Sequence, residues 1–248
     1  MSKPTLGIFG LTGCAGDQLV ILNCEDELLQ LVSLIDIRDF LMASSENDVA
    51  CPLDIALVEG AVLSNRDAEK LRAIRKRATT LVALGTCAVW GGVAAMDGSI
   101  NRRERLAEVY GEIGLSYDSV PAQALHEVVK VDLNITGCPI EKDHLLAAIA
   151  NLLNGDAPLY PEYPVCTECR MLENNCLLIE HGEICCGPIT AAGCKARCPN
   201  LRVPCVGCRG PVGDANFSSL LTAFEEKGFD RRDLAARLRT FAPQGGAR

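Results

Sequence analysis

Short apolar runs alternate with longer amphipathic stretches along the first two thirds of the chain. The apolar runs predict strands at Thr5–Phe9, Ser33–Ile37, Ile55–Val58, Thr80–Leu84 and Val128–Ile135. The amphipathic stretches predict helices at Gln18–Leu31, Asp67–Arg77, Arg103–Tyr110 and Lys142–Leu153. Because short apolar strands alternate with helices, we expect an α/β fold built on a parallel sheet.

The cysteines divide the chain into two parts. Five of the fourteen lie before Gly155, and the other nine lie between Cys166 and Cys208. A glycine and three prolines separate the groups, and such residues end helices and favour extended chain. This composition shift predicts two domains, 1–157 and 158–248.

The cysteine-rich segment shows little periodicity and few large apolar side chains. Its 43 residues, from Cys166 to Cys208, bury too little surface to fold alone. Metal binding can supply the missing free energy of folding. Two helix-type patterns follow the segment, at Phe217–Lys227 and Arg231–Phe241.

Chemically reactive side chains follow four of the predicted strands. Cys14, Glu59, Cys87 and Cys138 each come just after or at the end of an apolar run. In open parallel sheets, ligands bind at the carboxyl ends of the strands. We therefore expect these four residues to converge on one site.

Composition narrows the classes of function. The net charge of −8 argues against nucleic acid as a partner, since phosphate binding needs clustered Lys and Arg. The sequence contains neither an apolar run of about 18 residues nor a signal peptide, so we expect a cytoplasmic protein. In that reducing compartment, fourteen cysteines indicate metal ligands rather than disulfides.

Two kinds of metal site fit the second group of cysteines. Zinc takes four cysteine ligands and so does a 4Fe-4S cluster, so eight cysteines would serve two sites of either kind. The segment offers nine, which are Cys166, Cys169, Cys176, Cys185, Cys186, Cys194, Cys198, Cys205 and Cys208. Pro199 directly follows a cysteine, which favours iron–sulfur clusters.

The first group leaves two interpretations of Asp17. Cys14, Cys87 and Cys138 are one ligand short of a full cluster, and Asp17 follows Cys14 at the spacing of a C-x-x-C pair. Asp is also a common cap for a helix that begins at Gln18. From these residues alone the capping role is favoured.

Together, the residues resemble the small subunit of nickel–iron hydrogenases over nearly the whole chain. The motifs that carry the resemblance are Cys14-Ala15-Gly16-Asp17-Gln18, Val58-Glu59-Gly60, Gly85-Thr86-Cys87-Ala88 with Gly91-Gly92, Gly137-Cys138-Pro139, Cys185-Cys186-Gly187-Pro188-Ile189-Thr190 with Cys194, and Cys205-Val206-Gly207-Cys208. The resemblance implies a flavodoxin-like parallel-sheet domain followed by an irregular iron–sulfur cluster-binding domain with short helices.

The resemblance also implies three 4Fe-4S clusters. The proximal cluster would use Cys14, Asp17, Cys87 and Cys138. The medial cluster would use Cys194, Cys198, Cys205 and Cys208. The distal cluster would use Cys166, Cys169, Cys176 and Cys185.

Three positions depart from the periplasmic members of this family. Those members have His in place of Cys166 and Pro in place of Cys198, so this chain resembles the cytoplasmic, cofactor-coupled branch. Asp17 replaces the usual Cys, as in some members of that branch. This reverses the preference for a capping role, and Asp17 becomes an expected iron ligand that shifts the potential of the proximal cluster.

The function implied is electron transfer within a hydrogenase complex. A large subunit would split dihydrogen at its NiFe site, and a further subunit with flavin or iron–sulfur clusters would accept the electrons. The electron acceptor would be NAD(P), a deazaflavin or a bifurcating module. Its site would lie in a partner subunit, since this chain has no nucleotide-binding Gly-rich loop. The alternatives are a cluster subunit of a complex I-type quinone oxidoreductase and a zinc-stapled interaction protein.

The remaining reactive residues are expected to bind no metal. Cys24 falls in a predicted helix and is expected in the core, while Cys51 precedes a proline in a loop. Cys186 lies beside an expected ligand. Glu59 could relay protons, but an acceptor of backbone N–H groups is the favoured interpretation. The three histidines are expected to be solvated or in the core.

Overall fold

Five parallel strands form the central sheet, in the order β2-β1-β3-β4-β5. The computed structural model describes residues 3–96, 101–156 and 160–242. The strands are β1 (Thr5–Gly10), β2 (Asp36–Phe40), β3 (Leu53–Glu59), β4 (Ala78–Leu84) and β5 (Leu133–Ile135). The order reverses between β1 and β3, as in flavodoxin-like folds, which confirms the predicted α/β class. The predicted domain boundary at 157/158 lies outside the described residues.

Helices flank the sheet and continue into the second part of the chain. The α-helices are α1 (Gly16–Leu22), α2 (Glu25–Leu34), α3 (Asn65–Arg77), α4 (Gly85–Trp90), α5 (Arg102–Tyr110), α6 (Lys142–Asn154), α7 (Val165–Met171), α8 (Arg197–Asn200), α9 (Phe217–Glu225) and α10 (Arg231–Arg239). Short 3-10 helices lie at Gly92–Ala95, Gly111–Ser116, Leu125–Glu127 and Gly187–Ile189. Within the described ranges, no helix combines the length and the apolar character that crossing a membrane requires.

The central strand β3 shows how the sheet is buried. Ile55 and Leu57 belong to one apolar cluster, which includes residues of α1 and α6. Ala56 and Val58 belong to a second cluster, which includes residues of α3. Because successive side chains of a strand point to opposite faces, β3 is covered on both sides, as is typical of parallel sheets between helices.

The helix predicted at Gln18–Leu31 is two helices, which is a correction to the sequence pattern. The N–H of Cys24 donates to the carbonyl oxygen of Ile21 at 3.1 Å, and this tight turn ends α1. Helix α2 then runs beyond the predicted helix end. The strand predicted from Ser33 therefore begins only at Asp36.

The strand predicted at Val128–Ile135 is also shorter than expected. Val128 and Val129 both donate their N–H to the carbonyl oxygen of Leu125, at 3.0 Å each. These local bonds close a turn and keep the two valines out of the sheet, although both pack against the second apolar cluster. Only Leu133–Ile135 pairs with β4.

The second part of the chain has a small apolar core of its own. The predicted helices at its end are present as α9 and α10, and they contribute Leu220, Phe224 and Leu234 to this core. Cys186 and Ile189 from the cysteine-rich segment complete its centre. The segment is otherwise irregular, as the resemblance implied.

Candidate metal centres

Three cysteines meet at the carboxyl edge of the sheet. Cys14 lies in the loop after β1, Cys87 lies in α4 directly after β4, and Cys138 follows β5. Burial raises the pKa of the Cys87 thiol to about 11, and the charges of Asp17, Cys14 and Glu59 add to the shift. Burial likewise raises the pKa of Cys138 to about 11, with Cys87 and the same groups contributing. We call Cys14, Asp17, Cys87 and Cys138 the edge site.

Two glycines allow the loops of the edge site to approach closely. At Gly85, which has a φ of 82°, an added Cβ would lie 1.8 Å from Oδ2 of Asp17. At Gly92, which has a φ of 56°, it would lie 2.7 Å from Sγ of Cys87. A side chain at either position would push a candidate ligand out of place, and positive φ also favours glycine at both.

Asp17 does not cap a helix. Helix α1 begins at Gly16 after Ala15, and the Asp17 side chain instead accepts a hydrogen bond from the N–H of Ile140 at 2.8 Å through Oδ1. Burial raises the pKa of this carboxyl to about 7; the Ile140 bond lowers it and the charge of Glu59 raises it. No ion pair to Asp17 occurs among the described residues. A buried carboxylate without a cation fits a metal ligand.

Glu59 lies beneath the edge site and is 2% exposed. Its Oε2 accepts hydrogen bonds from the backbone N–H of Gln18 at 3.2 Å and from Nε2 of Gln18 at 2.9 Å. These bonds fix the first turn of α1, which contains Asp17. The geometry therefore agrees with the favoured interpretation of Glu59 as an acceptor of backbone N–H groups.

A second set of four cysteines lines a cavity in the irregular segment. Cys166 and Cys169 lie one turn apart on α7, and Cys176 and Cys185 line the same space. Burial raises the pKa of Cys166 to about 12, with the charges of the other three contributing. At Gly187 an added Cβ would lie 3.3 Å from Sγ of Cys166. We call these four cysteines the cavity site; thiols around an enclosed space fit a bound cluster.

A third set, which we call the junction site, contains Cys194, Cys198, Cys205 and Cys208. Burial raises the pKa of Cys208 to about 11, and the charges of Cys194, Cys198 and Cys138 contribute. The junction site therefore adjoins the edge site. Cys205 lies beside the cavity site: its N–H donates to Sγ of Cys185 at 3.3 Å.

One threonine joins the edge site to the junction site. The hydroxyl of Thr86 donates to the carbonyl oxygen of Cys208 at 2.5 Å and accepts from the N–H of Gly137 at 3.2 Å. Thr86 precedes Cys87, and Gly137 precedes Cys138. A single side chain thus contacts the loops of three candidate ligands.

The other cysteines lie where metal binding is not expected. Cys24 is 1% exposed, and Cys51 lies partly buried before β3. Burial raises the pKa of Cys186 to about 11, and its side chain belongs to the apolar core under α9 and α10. Among the described residues, no group of three or more His, Cys, Asp or Glu is arranged to hold a single metal ion.

The sequence pattern missed the charged groups around the junction site. Arg209 is 3% exposed, and its Nη2 lies 3.1 Å from Nδ1 of His144. Glu168 accepts hydrogen bonds from the N–H groups of Gly193 and Ala196 at 2.9 and 3.1 Å. Neither residue belongs to a recognisable spacing, so only the folded chain reveals them.

The chain is similar to known hydrogenase subunits over nearly its whole length. Residues 14–152 match the model of the family described as the 20 kDa subunit of NADH ubiquinone oxidoreductase. Sulfhydrogenase 2 subunit delta of Pyrococcus furiosus is 38% identical over 96% of this chain and 98% of its own length. A subunit of the vhu F420-non-reducing hydrogenase of Methanocaldococcus jannaschii is 29% identical over 95% of this chain and 93% of its own length.

A solved structure gives the same result. A chain in the crystal structure of an NAD+-reducing NiFe hydrogenase in the H2-reduced state superposes with a TM-score of 0.57 at 27% identity. The match covers 64% of this chain and 96% of that chain.

The sheet topology and the thiol sites define an iron–sulfur subunit of an oxidoreductase complex. Within that class, the chain belongs to the family of NiFe hydrogenase small subunits, which shares the oxidoreductase 20 kDa subunit model. That model ends before the cysteine-rich segment, whereas the hydrogenase relatives align over nearly the whole chain. The hydrogenase interpretation is therefore favoured over the quinone-oxidoreductase alternative.

Proposed function

We propose that this chain relays single electrons between the NiFe site of a hydrogenase large subunit and a cofactor-reducing partner subunit. The observation that supports this most directly is the contact through Thr86, whose hydroxyl bonds the Cys208 carbonyl oxygen at 2.5 Å. It places two candidate cluster sites on adjoining loops, as an electron relay requires. Because dihydrogen would be split in the large subunit, this chain alone is inactive toward dihydrogen.

The three sites correspond to three proposed 4Fe-4S clusters. The edge site would bind the proximal cluster, the junction site the medial cluster and the cavity site the distal cluster. Thiolates, not thiols, bind iron, so the buried cysteines would release protons when clusters form. Bound clusters of this kind accept and donate one electron at a time.

The chain's own contribution is to hold and tune these clusters. Hydrogen bonds to the ligand sulfurs and burial of the site are two means of setting a cluster's potential. In the cavity site, Sγ of Cys176 accepts from the N–H of Ile179 at 3.5 Å, and Sγ of Cys185 accepts from Cys205 at 3.3 Å. Leu177 and Leu178 line the same cavity and limit the access of water.

Asp17 completes the proposed ligand set of the proximal cluster. The N–H of Ile140 holds Oδ1, so Oδ2 is the atom that we assign to iron. The carboxyl lies close enough to Cys87 and Cys138 for its charge to raise both thiol pKa values. Iron would supply the positive charge that this buried carboxylate otherwise lacks.

The large subunit would cover the open side of the edge site. Cys14 is an exposed thiol, whereas Cys87 and Cys138 are partly buried. Thr12 and Gly13 are also exposed beside it, as is half of the Leu19 side chain. A cluster bound here would need a protein cover to exclude water, and a docked subunit would provide it.

The electron acceptor would be held by a further subunit with flavin or iron–sulfur clusters. Relatives of this chain are named for sulfhydrogenase and F420-non-reducing hydrogenase, and one solved relative is NAD+-reducing. We propose NAD(P), a deazaflavin or a bifurcating module as the acceptor. We also propose a reducing, cytoplasmic location, where so many cysteines would serve as metal ligands rather than as disulfide partners.

Metal content of the anaerobically purified complex tests this proposal. Three 4Fe-4S clusters would give about twelve iron and twelve acid-labile sulfide atoms from this chain, beyond those of its partners. Cys14→Ser should lose the proximal cluster signal in electron paramagnetic resonance. The control Cys51→Ser, at a partly buried thiol outside the three sites, should lose none. Zinc in place of iron would contradict the proposal and favour the zinc-stapled alternative.

A further inference from the structure

Arg209 brings a buried positive charge to the junction site. It follows Cys208 directly in the chain, and its side chain is 3% exposed. Its Nε donates to the carbonyl oxygens of Ala191 and Ala192, at 3.2 and 2.9 Å. Burial raises the pKa of the Cys194 thiol, and the charge of Arg209 reaches this group and opposes the rise.

The charge of Arg209 is not neutralised by any ion pair among the described residues. Its Nη2 contacts Nδ1 of His144 at 3.1 Å, and its Nη1 is buried with no hydrogen-bond partner in the part of the chain that the structure describes. Burying a charge is costly unless something compensates it. A guanidinium group of this kind therefore points to a further negative group, beyond the ion pairs of the described residues, as its partner.

The groups that face Arg209 do not cancel its charge. Burial lowers the pKa of His144 and the charge of Arg209 lowers it further, so the ring is neutral at pH 7 and accepts the hydrogen bond. Tyr160 lies near His144, with ring centroids 6.1 Å apart, and burial raises its pKa to about 12, so it is also neutral. The carboxylate of Glu168 forms no ion pair with Arg209 among the described residues; it accepts hydrogen bonds from the N–H groups of Gly193 and Ala196 instead.

We propose that Arg209 and Glu168 set the reduction potential of the medial cluster in opposite directions, with Arg209 raising it. This inference rests on the proposed function, because it requires a cluster at the junction site. A cluster held by four thiolates is an anion that gains a further negative charge when reduced. A buried cation favours that reduced state, and a partly buried carboxylate such as that of Glu168 disfavours it. Glu168 is suitably placed, since its Oε2 lies 4.0 Å from Sγ of Cys194.

Arg197 offers a matched control. Like Arg209 it is one residue from a proposed medial ligand, in this case Cys198. Its side chain is 60% exposed and pairs with Glu141 at 2.6 Å. Solvent and salt screen such a charge, so removing it should have little effect on the cluster.

The test is a redox titration of the assembled complex, with each cluster signal followed by electron paramagnetic resonance. Arg209→Gln should lower the midpoint potential of the medial cluster and leave the proximal and distal potentials near those of the wild type. Arg209→Lys should retain most of the wild-type potential, because it keeps the charge. Glu168→Gln should raise the medial potential, and Arg197→Gln should change it least.

The variants separate an electrostatic role from a structural one. An unchanged medial potential in Arg209→Gln, or an equal fall in Arg209→Lys, would overturn the inference. Loss of medial iron in both Arg209 variants would also overturn it, whereas loss in the Gln variant alone would support a need for charge. A wild-type complex without a medial cluster would instead refute the proposed function.

Discussion

Residues 3–96 and 101–156, which carry the sheet and which we call the sheet domain, and the cysteine-rich segment position their thiols in opposite ways. In the sheet domain, apolar clusters on both faces fix the strands, and the thiols lie in the loops and in helix α4 that follow the strand ends. In the segment, cysteines form part of the interior: Cys186 and Cys205 are 1% and 6% exposed. The fold of the sheet domain should therefore support its cluster, whereas the clusters should support the fold of the segment.

Removal of iron should therefore unfold the cysteine-rich part of the chain and leave the sheet domain folded. A chelator under mild oxidation should open residues 160–242, because their small core includes the ligand-bearing segment, and should leave the sheet domain folded. Limited proteolysis followed by mass spectrometry would locate the cuts. Equal loss of protection in both parts would contradict the comparison.

A large-to-small substitution in the core of the sheet should instead destabilise the sheet domain. Leu57 is 1% exposed at the centre of β3, so Leu57→Ala should lower the free energy of unfolding of the sheet domain by about 2–5 kcal/mol. Urea denaturation of the iron-free protein measures this. Leu29, which is 72% exposed, provides the control, and Leu29→Ala should change stability by less than about 0.5 kcal/mol.

At the edge site, the position of the ligands depends on how closely the backbone at Gly85 approaches the side chain of Asp17. Gly85→Ala would place a Cβ 1.8 Å from Oδ2 of Asp17, so we expect loss of the proximal cluster signal with the sheet still folded. Gly213 is the matched control, because an added Cβ there meets nothing within 4 Å. Retention of the proximal signal in Gly85→Ala would show that this contact does not shape the site.

A substitution of Thr86 tests the contact between the sheet domain and the cysteine-rich segment, because the Thr86 hydroxyl bonds the Cys208 carbonyl oxygen. Thr86→Val removes the hydroxyl and leaves the Gly137 N–H and the Cys208 carbonyl oxygen without this partner, at a cost of about 1–3 kcal/mol for each unpaired group. We expect all iron to be retained and dihydrogen-driven reduction of the medial cluster to become slower. Thr86→Ser keeps the hydroxyl and should behave as the wild type. Stopped-flow absorbance would follow the rate.

Asp17 gives the smallest expected change. Asp17→Asn keeps an oxygen for the Ile140 N–H but removes the charge. The proximal spectrum and potential should change while the junction and cavity signals stay as in the wild type. An unchanged proximal spectrum would show that Asp17 serves only to hold the loop after Cys138.

The two regions also differ in how far the sequence predicts them. Alternating patterns located the strands of the sheet, and because parallel strands share a carboxyl edge, the meeting of Cys14, Cys87 and Cys138 followed. The sequence did not predict how short β5 is. Val128 and Val129, which were predicted in this strand, donate to the carbonyl oxygen of Leu125 instead, and periodicity does not reveal such local bonds.

In the segment, spacing identified candidate ligands but not their surroundings. Lys195 and Ala196 both adopt positive φ, at 53° and 47°, so the chain there follows no periodic pattern. The hydrogen bonds of Glu168 and the burial of Arg209 arise from these irregular turns. Contacts of this kind depend on the assembled fold, and no short motif encodes them.

The central claim is that electrons from dihydrogen pass through three clusters in this chain. The most direct test is electron paramagnetic resonance of the assembled complex, reduced by dihydrogen alone and frozen within the reaction time. The account predicts three distinguishable cluster signals, with the proximal signal lost in Cys14→Ser and the other two then reduced more slowly. Clusters that dithionite reduces but dihydrogen does not, in a complex whose large subunit is active, would contradict it.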